Sequence, residues 1–151
     1  MIIILDSGIV FTLCTPVKIE KVTDCKKWFQ RLSARGVYFT SSEICDYEVR
    51  RELIRRNNSQ KVDKLEELRQ DMEFLPLTHD LMITASKLWA TARQAGNPTS
   101  NRNNIDVDMI LSAQWKLLQE EQPGRSIVIA TTNVSHLKLF AEAEEWMNIN
   151  Y

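Results

Sequence analysis

Apolar residues alternate along the chain between unbroken runs and spaced stripes. Ile2, Ile3, Ile4 and Leu5 form a continuous, mostly β-branched run, as expected of a central parallel strand covered on both faces. The run ends at Asp6-Ser7-Gly8, read as a turn, so an acidic side chain leaves the carboxyl end of a buried strand. Val22, Cys25, Trp28, Phe29 and Leu32 recur at helical spacing and predict a helix over 22–35, closed by Gly36. Residues 37–40 read as a second strand, and Ser41 or Ser42 can cap a helix over 43–56. Val62, Leu65, Leu68 and Met72 extend the helical pattern over 59–74, and 74–77 is a short strand that Pro76 confines to a sheet edge. Thr78 can cap a helix to residue 95, striped by Leu81, Ala85, Leu88 and Ala92. The polar stretch 96–104 is the most loop-like in the chain. Beyond it, Val107, Ile110, Leu111, Gln114, Trp115 and Leu118 mark a helix, and Ile127 to Ala130 a β-rich run after Pro123-Gly124. A short helix and a tail of unassigned type close the chain. The order predicts an α/β fold of three layers, αβα, with a mostly parallel central sheet, as one domain over residues 1–151.

In such sheets ligands gather outside the carboxyl ends of the strands. That rule selects Asp6 and the turn Thr131-Thr132-Asn133, which follow the two most apolar strands. Composition narrows the chemistry. The chain has 151 residues, 44% of them apolar, and a net charge of −1, so it lacks the fold-wide basic field of many nucleic-acid binders and any polyanion contact must be local. Arg50, Arg51, Arg55 and Arg56 form its only dense basic cluster, beside Glu48; an ordinary charged helix face laced by Glu52 is the competing reading. Cys14, Cys25 and Cys45 lie 11 and 20 residues apart, without the close pairs of zinc or redox sites, and read as reduced packed thiols. His79 and His136 form no ligand pair, His136 reading as a polar turn residue, and no Gly-rich phosphate loop is present. The four tryptophans fall at helical apolar faces and read as core. The amino-terminal apolar run is too short for a signal-peptide core or a membrane span, which predicts a cytoplasmic protein with no membrane partner.

Four segments in order resemble the PIN-domain family of metal-dependent nucleases, in its VapC-type toxin branch. They are the opening strand into Asp6-Ser7, the stretch Ser42-Glu43-Ile44-Cys45-Asp46-Tyr47-Glu48-Val49-Arg50, the stretch Asp106-Val107-Asp108-Met109-Ile110-Leu111-Ser112-Ala113, and Ala130-Thr131-Thr132-Asn133-Val134-Ser135-His136. The resemblance implies an endoribonuclease, the toxin of a toxin–antitoxin pair, in which Asp6, Glu48 and Asp108 bind one or two Mg²⁺ or Mn²⁺ ions and Asp106 is a further candidate ligand. Carboxylates are the donors these hard ions prefer. Asp106 is also a natural helix N-cap, and two residues that differ by two positions on a helix point about 200° apart, so both readings of it stand. Ser7, Arg50, Arg51 and Asn133 are candidate substrate contacts. Asn133 stands where many members of the family carry a fourth acid, which argues against tight binding of two ions. The same feature favours an alternative, a catalytically silent domain that binds RNA or protein. An RNA substrate, a cognate antitoxin and a possible homodimer are the expected partners.

Overall fold

Ile2–Leu5 is β1, and its neighbours on both sides run parallel to it: Ile4 lies opposite Thr40 on one flank and Ile129 on the other. The computed structural model describes residues 1–17, 19–97 and 106–151; the expected loop over 96–104 therefore falls, beyond Asn97, outside the described residues. Along the chain the elements are β1, α1 (Ser7–Leu13), α2 (Glu20–Ala34), β2 (Tyr38–Ser42), α3 (Glu43–Arg55), α4 (Ser59–Asp71), β3 (Glu73–Leu75) and α5 (His79–Gln94). Next come α6 (Val107–Glu121), β4 (Ile127–Thr131), α7 (Val134–Leu137), β5 (Ala143–Glu145) and a 3₁₀ turn at Trp146–Asn148. The sheet order is β3-β2-β1-β4-β5 and every pair is parallel.

The alternation of side chains on β1 divides the interior in two. Ile3 and Leu5 enter a core with Ile9 and Val10 of α1, Trp28 and Leu32 of α2, Val49 and Leu53 of α3, and Leu65 of α4. Ile2 and Ile4 enter the opposite core with Leu81 and Ala85 of α5 and Ile110, Leu111 and Ala113 of α6. Three layers result, as expected. Ile3, Ile4 and Leu5 have no exposed surface, and each such side chain contributes roughly 1.5–3 kcal/mol through burial.

Two elements depart from the sequence expectation. Asp6-Ser7-Gly8 is a helix start rather than a turn: Asp6 has extended backbone and its side chain accepts from the Ser7 amide, while Ile9 and Val10 anchor the helix in the core. An unexpected β5 precedes the tail, which runs from Trp146 to Tyr151 and opens with the 3₁₀ turn; Ala143-Glu144-Glu145 lacks β-forming residues and is held as an edge strand by its pairing with β4. Among the described residues no helix is long and apolar enough to cross a membrane. The three cysteines are free and buried.

Candidate active site

Parallel strands place their carboxyl ends along one rim, and β1, α3, α6 and the β4–α7 junction each bring polar groups there. Asp6 is fixed first. Its Oδ1 accepts from the Ser7 amide at 2.6 Å and the Ser7 hydroxyl at 3.3 Å, and its Oδ2 accepts from Thr131 Oγ1 at 2.7 Å. Thr131 is fully buried and its hydroxyl also accepts from the Asn133 amide, so the carboxyl ends of β1 and β4 are tied by one side chain. Gly8 lies tight in this corner: a Cβ there would stand 3.2 Å from Thr132 Oγ1.

α6 enters from the other side. Asp106 caps it, accepting from the Met109 amide at 3.3 Å, so the N-cap role holds for Asp106. Asp108 sits in the first turn with its carboxyl pushed up to about 6, chiefly by burial and then by the charges of Asp6 and Asp106. The imidazole of His136 opposes that rise; its Nδ1 is 3.5 Å from Asp108 Oδ2. Asn133 Nδ2 lies 3.4 Å from the same Nδ1, and Asn133 Oδ1 accepts from Ser135 Oγ at 3.3 Å. His136 therefore lies in α7 beside Asp108 and Asn133. Its spacing, three residues after Asn133 and one helical turn along, was the available signal.

Glu48 projects from the second turn of α3, partly exposed, with Arg51 Nη2 3.8 Å from its Oε1. Burial pushes the Cys45 thiol up, and the charges of Asp6 and Glu48 push it further, which sets both carboxylates about one buried group. Between α1 and α3 a shallow cleft of about 300 Å³ is lined by Ser7, Gly8, Phe11, Glu48, Arg51 and Glu52. Arg50 does not join this rim. Its guanidinium grips Asp46 at 2.7 and 2.9 Å and Glu66 at 2.5 Å, and Arg69 completes the network by reaching Asp46 and Glu43. Asp46 is nearly buried, so the expectation that Arg50 meets substrate phosphate is corrected: its donors close the α3–α4 seam. Arg55 and Arg56 are both bound to Glu52, which leaves Arg51 as the member of the basic cluster facing the cleft.

The donor set on this rim is carboxylate oxygen from Asp6, Glu48, Asp106 and Asp108, with charges that repel one another, and in kind it fits a hard divalent cation. Among the described residues no three His, Cys, Asp or Glu side chains are gathered closely enough to hold an ion as they stand.

No protein-family model and no curated protein sequence matches the chain. Solved structures do. A chain of VapBC2 from Rickettsia felis, a complex bound to a DNA fragment from its promoter, superposes with a TM-score of 0.70 at 16% identity, over 97% of this chain and 99% of that one. VapBC-1 from nontypeable Haemophilus influenzae gives 0.64 at 19% identity, over 98% and 100%, and FitAcB from Neisseria gonorrhoeae gives 0.65 at 18%, over 97% and 99%. The chain has the PIN-domain fold. In that fold the rim above β1 and β4, where the charge of Asp6 acts on Asp108, is the carboxyl edge of a fully parallel sheet, the place where α/β proteins bind ligands.

Proposed function

We propose that this PIN-fold protein is a Mg²⁺- or Mn²⁺-dependent endoribonuclease acting in the cytoplasm, the toxin of a toxin–antitoxin pair. The observation that carries the reading is the convergence of Asp6 and Asp108 on one rim, with the Asp108 carboxyl raised by burial and by its acidic neighbours. Opposed carboxylates at partly buried sites lose stability without a counter-charge, so this chain keeps an arrangement that a cation would relieve. The fold neighbours VapBC2, VapBC-1 and FitAcB support a protein partner, in keeping with an antitoxin.

Asp6, Glu48 and Asp108 would hold the ion, with Asp106 contributing if it leaves its cap. A bound divalent ion lowers the pKa of water and neutralises charge on a phosphodiester. The protein's own groups do the rest. Thr131 and the Ser7 amide fix the Asp6 carboxylate so that little ordering remains to be done on binding. Arg51, on the cleft beside Glu48, meets a substrate phosphate, and the Ser7 hydroxyl beside Asp6 and the Asn133 side chain beside His136 are the further contacts.

Incubation of the protein with single-stranded RNA, with and without EDTA, tests the reading. Cleavage that requires Mg²⁺ or Mn²⁺ and is lost in Asp6→Asn and Glu48→Gln is expected; cleavage retained in both variants, or RNA left intact by the parent with either metal, overturns it. The absence of a ready trio of ligands among the described residues favours one second reading, a PIN-fold domain that binds RNA or protein without cleaving. That reading predicts RNA binding indifferent to EDTA.

A further inference from the structure

The cleft lined by Ser7, Glu48 and Arg51 includes Phe11, and beyond that ring stand two cations that do not line it. Lys61, from α4, stands over the Phe11 ring with its Nζ 4.4 Å from the centroid, and donates to Thr15 Oγ1 at 3.0 Å. Lys26, from α2, donates to the carbonyl oxygen of the same Thr15 at 2.6 Å. Both lysine charges act on the buried Cys14 thiol next to Thr15, which places them around the end of α1. At the near end, the Arg51 guanidinium lies over the exposed Tyr47 ring at 5.2 Å and, among the described residues, pairs within 4 Å with Glu48 alone, at 3.8 Å.

Two features separate this arrangement from ordinary surface charge. First, many cations nearby are neutralised: Lys27 by Asp24, Lys64 by Glu67, Arg55 and Arg56 by Glu52, Arg50 and Arg69 by the Asp46 network. Among the described residues neither Lys26 nor Lys61 has a carboxylate within 4 Å; their partners are a carbonyl, a hydroxyl and a ring. Second, one cation suffices to satisfy the carbonyl end of a short helix, yet two ammonium groups from different helices converge on Thr15, where they repel each other. An anion lying along α1 relieves that repulsion. Cations spaced along a groove suit single-stranded nucleic acid, whose successive phosphates meet the charges.

We infer that a single-stranded RNA leaves the Asp6–Glu48 rim along α1 over the half-buried Phe11, its successive phosphates held by Arg51, Lys61 and Lys26. This rests on the ribonuclease reading and adds the direction of the strand and two residues beyond the site. The path also explains how a chain of net charge −1 can bind a polyanion: three cations, one each from α3, α4 and α2, stand around α1.

The test is the salt dependence of RNA binding, followed by fluorescence anisotropy with a short labelled single-stranded oligonucleotide and the full chain carrying Asp6→Asn to prevent cleavage. Three phosphate contacts predict a slope of log K against log salt of about −2, at about 0.7 per contact on a single strand. Lys26→Gln with Lys61→Gln should reduce the slope to about −0.7. Arginine at both positions should keep it near −2, and Lys64→Gln, on α4 but paired with Glu67, should leave it unchanged. Lys61→Gln alone, whose amide can still donate to Thr15, should give about −1.4 and guards against a double variant that folds poorly. RNA binding with an unaltered slope in the lysine variants overturns the path and leaves the ribonuclease reading standing. Absence of salt-dependent RNA binding in the parent overturns both. Loss of binding to a polyglutamate peptide, with RNA binding unchanged, would assign the lysines to an acidic protein partner and equally overturn the path.

Discussion

Asp108→Asn should make the metal-free protein more stable at neutral pH, although it removes a residue of the candidate site. Burial, Asp6 and Asp106 hold the Asp108 carboxyl at about 6 against an ordinary value of 3.8. A carboxyl raised on folding binds its proton more tightly in the native state, so native stability falls as pH rises from about 4 to about 6 and the deficit is complete above that. A shift of this size corresponds to roughly 3 kcal/mol at 1.36 kcal/mol per unit. Two effects reduce it. The side chain keeps a quarter of its surface exposed, and an acid in the first turn of α6 gains about 0.3–1 kcal/mol from the helix dipole. A net gain of about 1–2 kcal/mol for the asparagine variant remains, or roughly 2–8 °C in Tm for a chain of this length. Melting monitored by circular dichroism in EDTA, at pH 4 and pH 7.5, reads this directly: the variant and parent should nearly coincide at pH 4 and separate at pH 7.5. Added Mn²⁺ should raise the parent's Tm and narrow the gap, since a ligand at ten times its Kd stabilises by about 1.4 kcal/mol. A variant that is no more stable than the parent at pH 7.5, or that is equally shifted at both pH values, would refute the account of Asp108 as a strained carboxylate.

Three further outcomes are expected. Asp46→Asn removes the carboxylate shared by Arg50 and Arg69 and should cost about 2 kcal/mol in urea unfolding with an unchanged m-value, less than the roughly 3–5 kcal/mol of a fully broken buried pair because each arginine is partly exposed and keeps one partner, Glu66 or Glu43. Asn133→Asp adds a charge beside His136, the neighbour of Asp108, so if this carboxylate joins the ion the Mn²⁺-induced rise in Tm should be larger for this variant than for the parent and smallest for Asp6→Asn; equal shifts in all three would place the ion elsewhere. Burial pushes the Cys14 thiol up to about 12 and that of Cys25 to about 11, so iodoacetamide at pH 8 should leave both unmodified by mass spectrometry until denaturant is added; rapid native labelling of either would contradict the packing described.

Much of the fold was legible because its strongest elements obey one periodicity each. The runs at Ile2–Leu5 and Ile127–Thr131 are apolar without interruption because both faces of a parallel sheet are covered, and those two strands fix where the rim lies. Asp6 follows from that placement and Asp106 from capping rules, whereas Glu48 and Asp108 were singled out only by the family resemblance. α1 was not legible, because Ser7 and Gly8 are turn-forming residues and the helix depends on a cap belonging to the strand before it. β5 has no intrinsic strand preference and exists through its partner. Arg50 and Arg51 are adjacent in sequence and chemically identical; only the packing of α4, which brings Glu66 and Arg69 alongside, decides that one closes a seam and the other faces the cleft. The role of Lys26 and Lys61 depends on two helices meeting at Thr15, a tertiary event with no local signature.

Asp6 belongs at once to the scaffold, as the cap of α1, and to the chemistry, as the best-fixed carboxylate on the rim. Asparagine caps a helix about as well as aspartate, whereas alanine costs about 1 kcal/mol. The route by which such a protein loses its activity is therefore graded. In a genetic selection against the activity, Asp6→Asn survivors should accumulate to normal abundance, while Asp6→Ala or Asp6→Val survivors should be depleted by cellular proteases. Asn133, already neutral, stands on the first kind of path. A lineage could pass from enzyme to binding module one amide at a time without ever leaving the folded state.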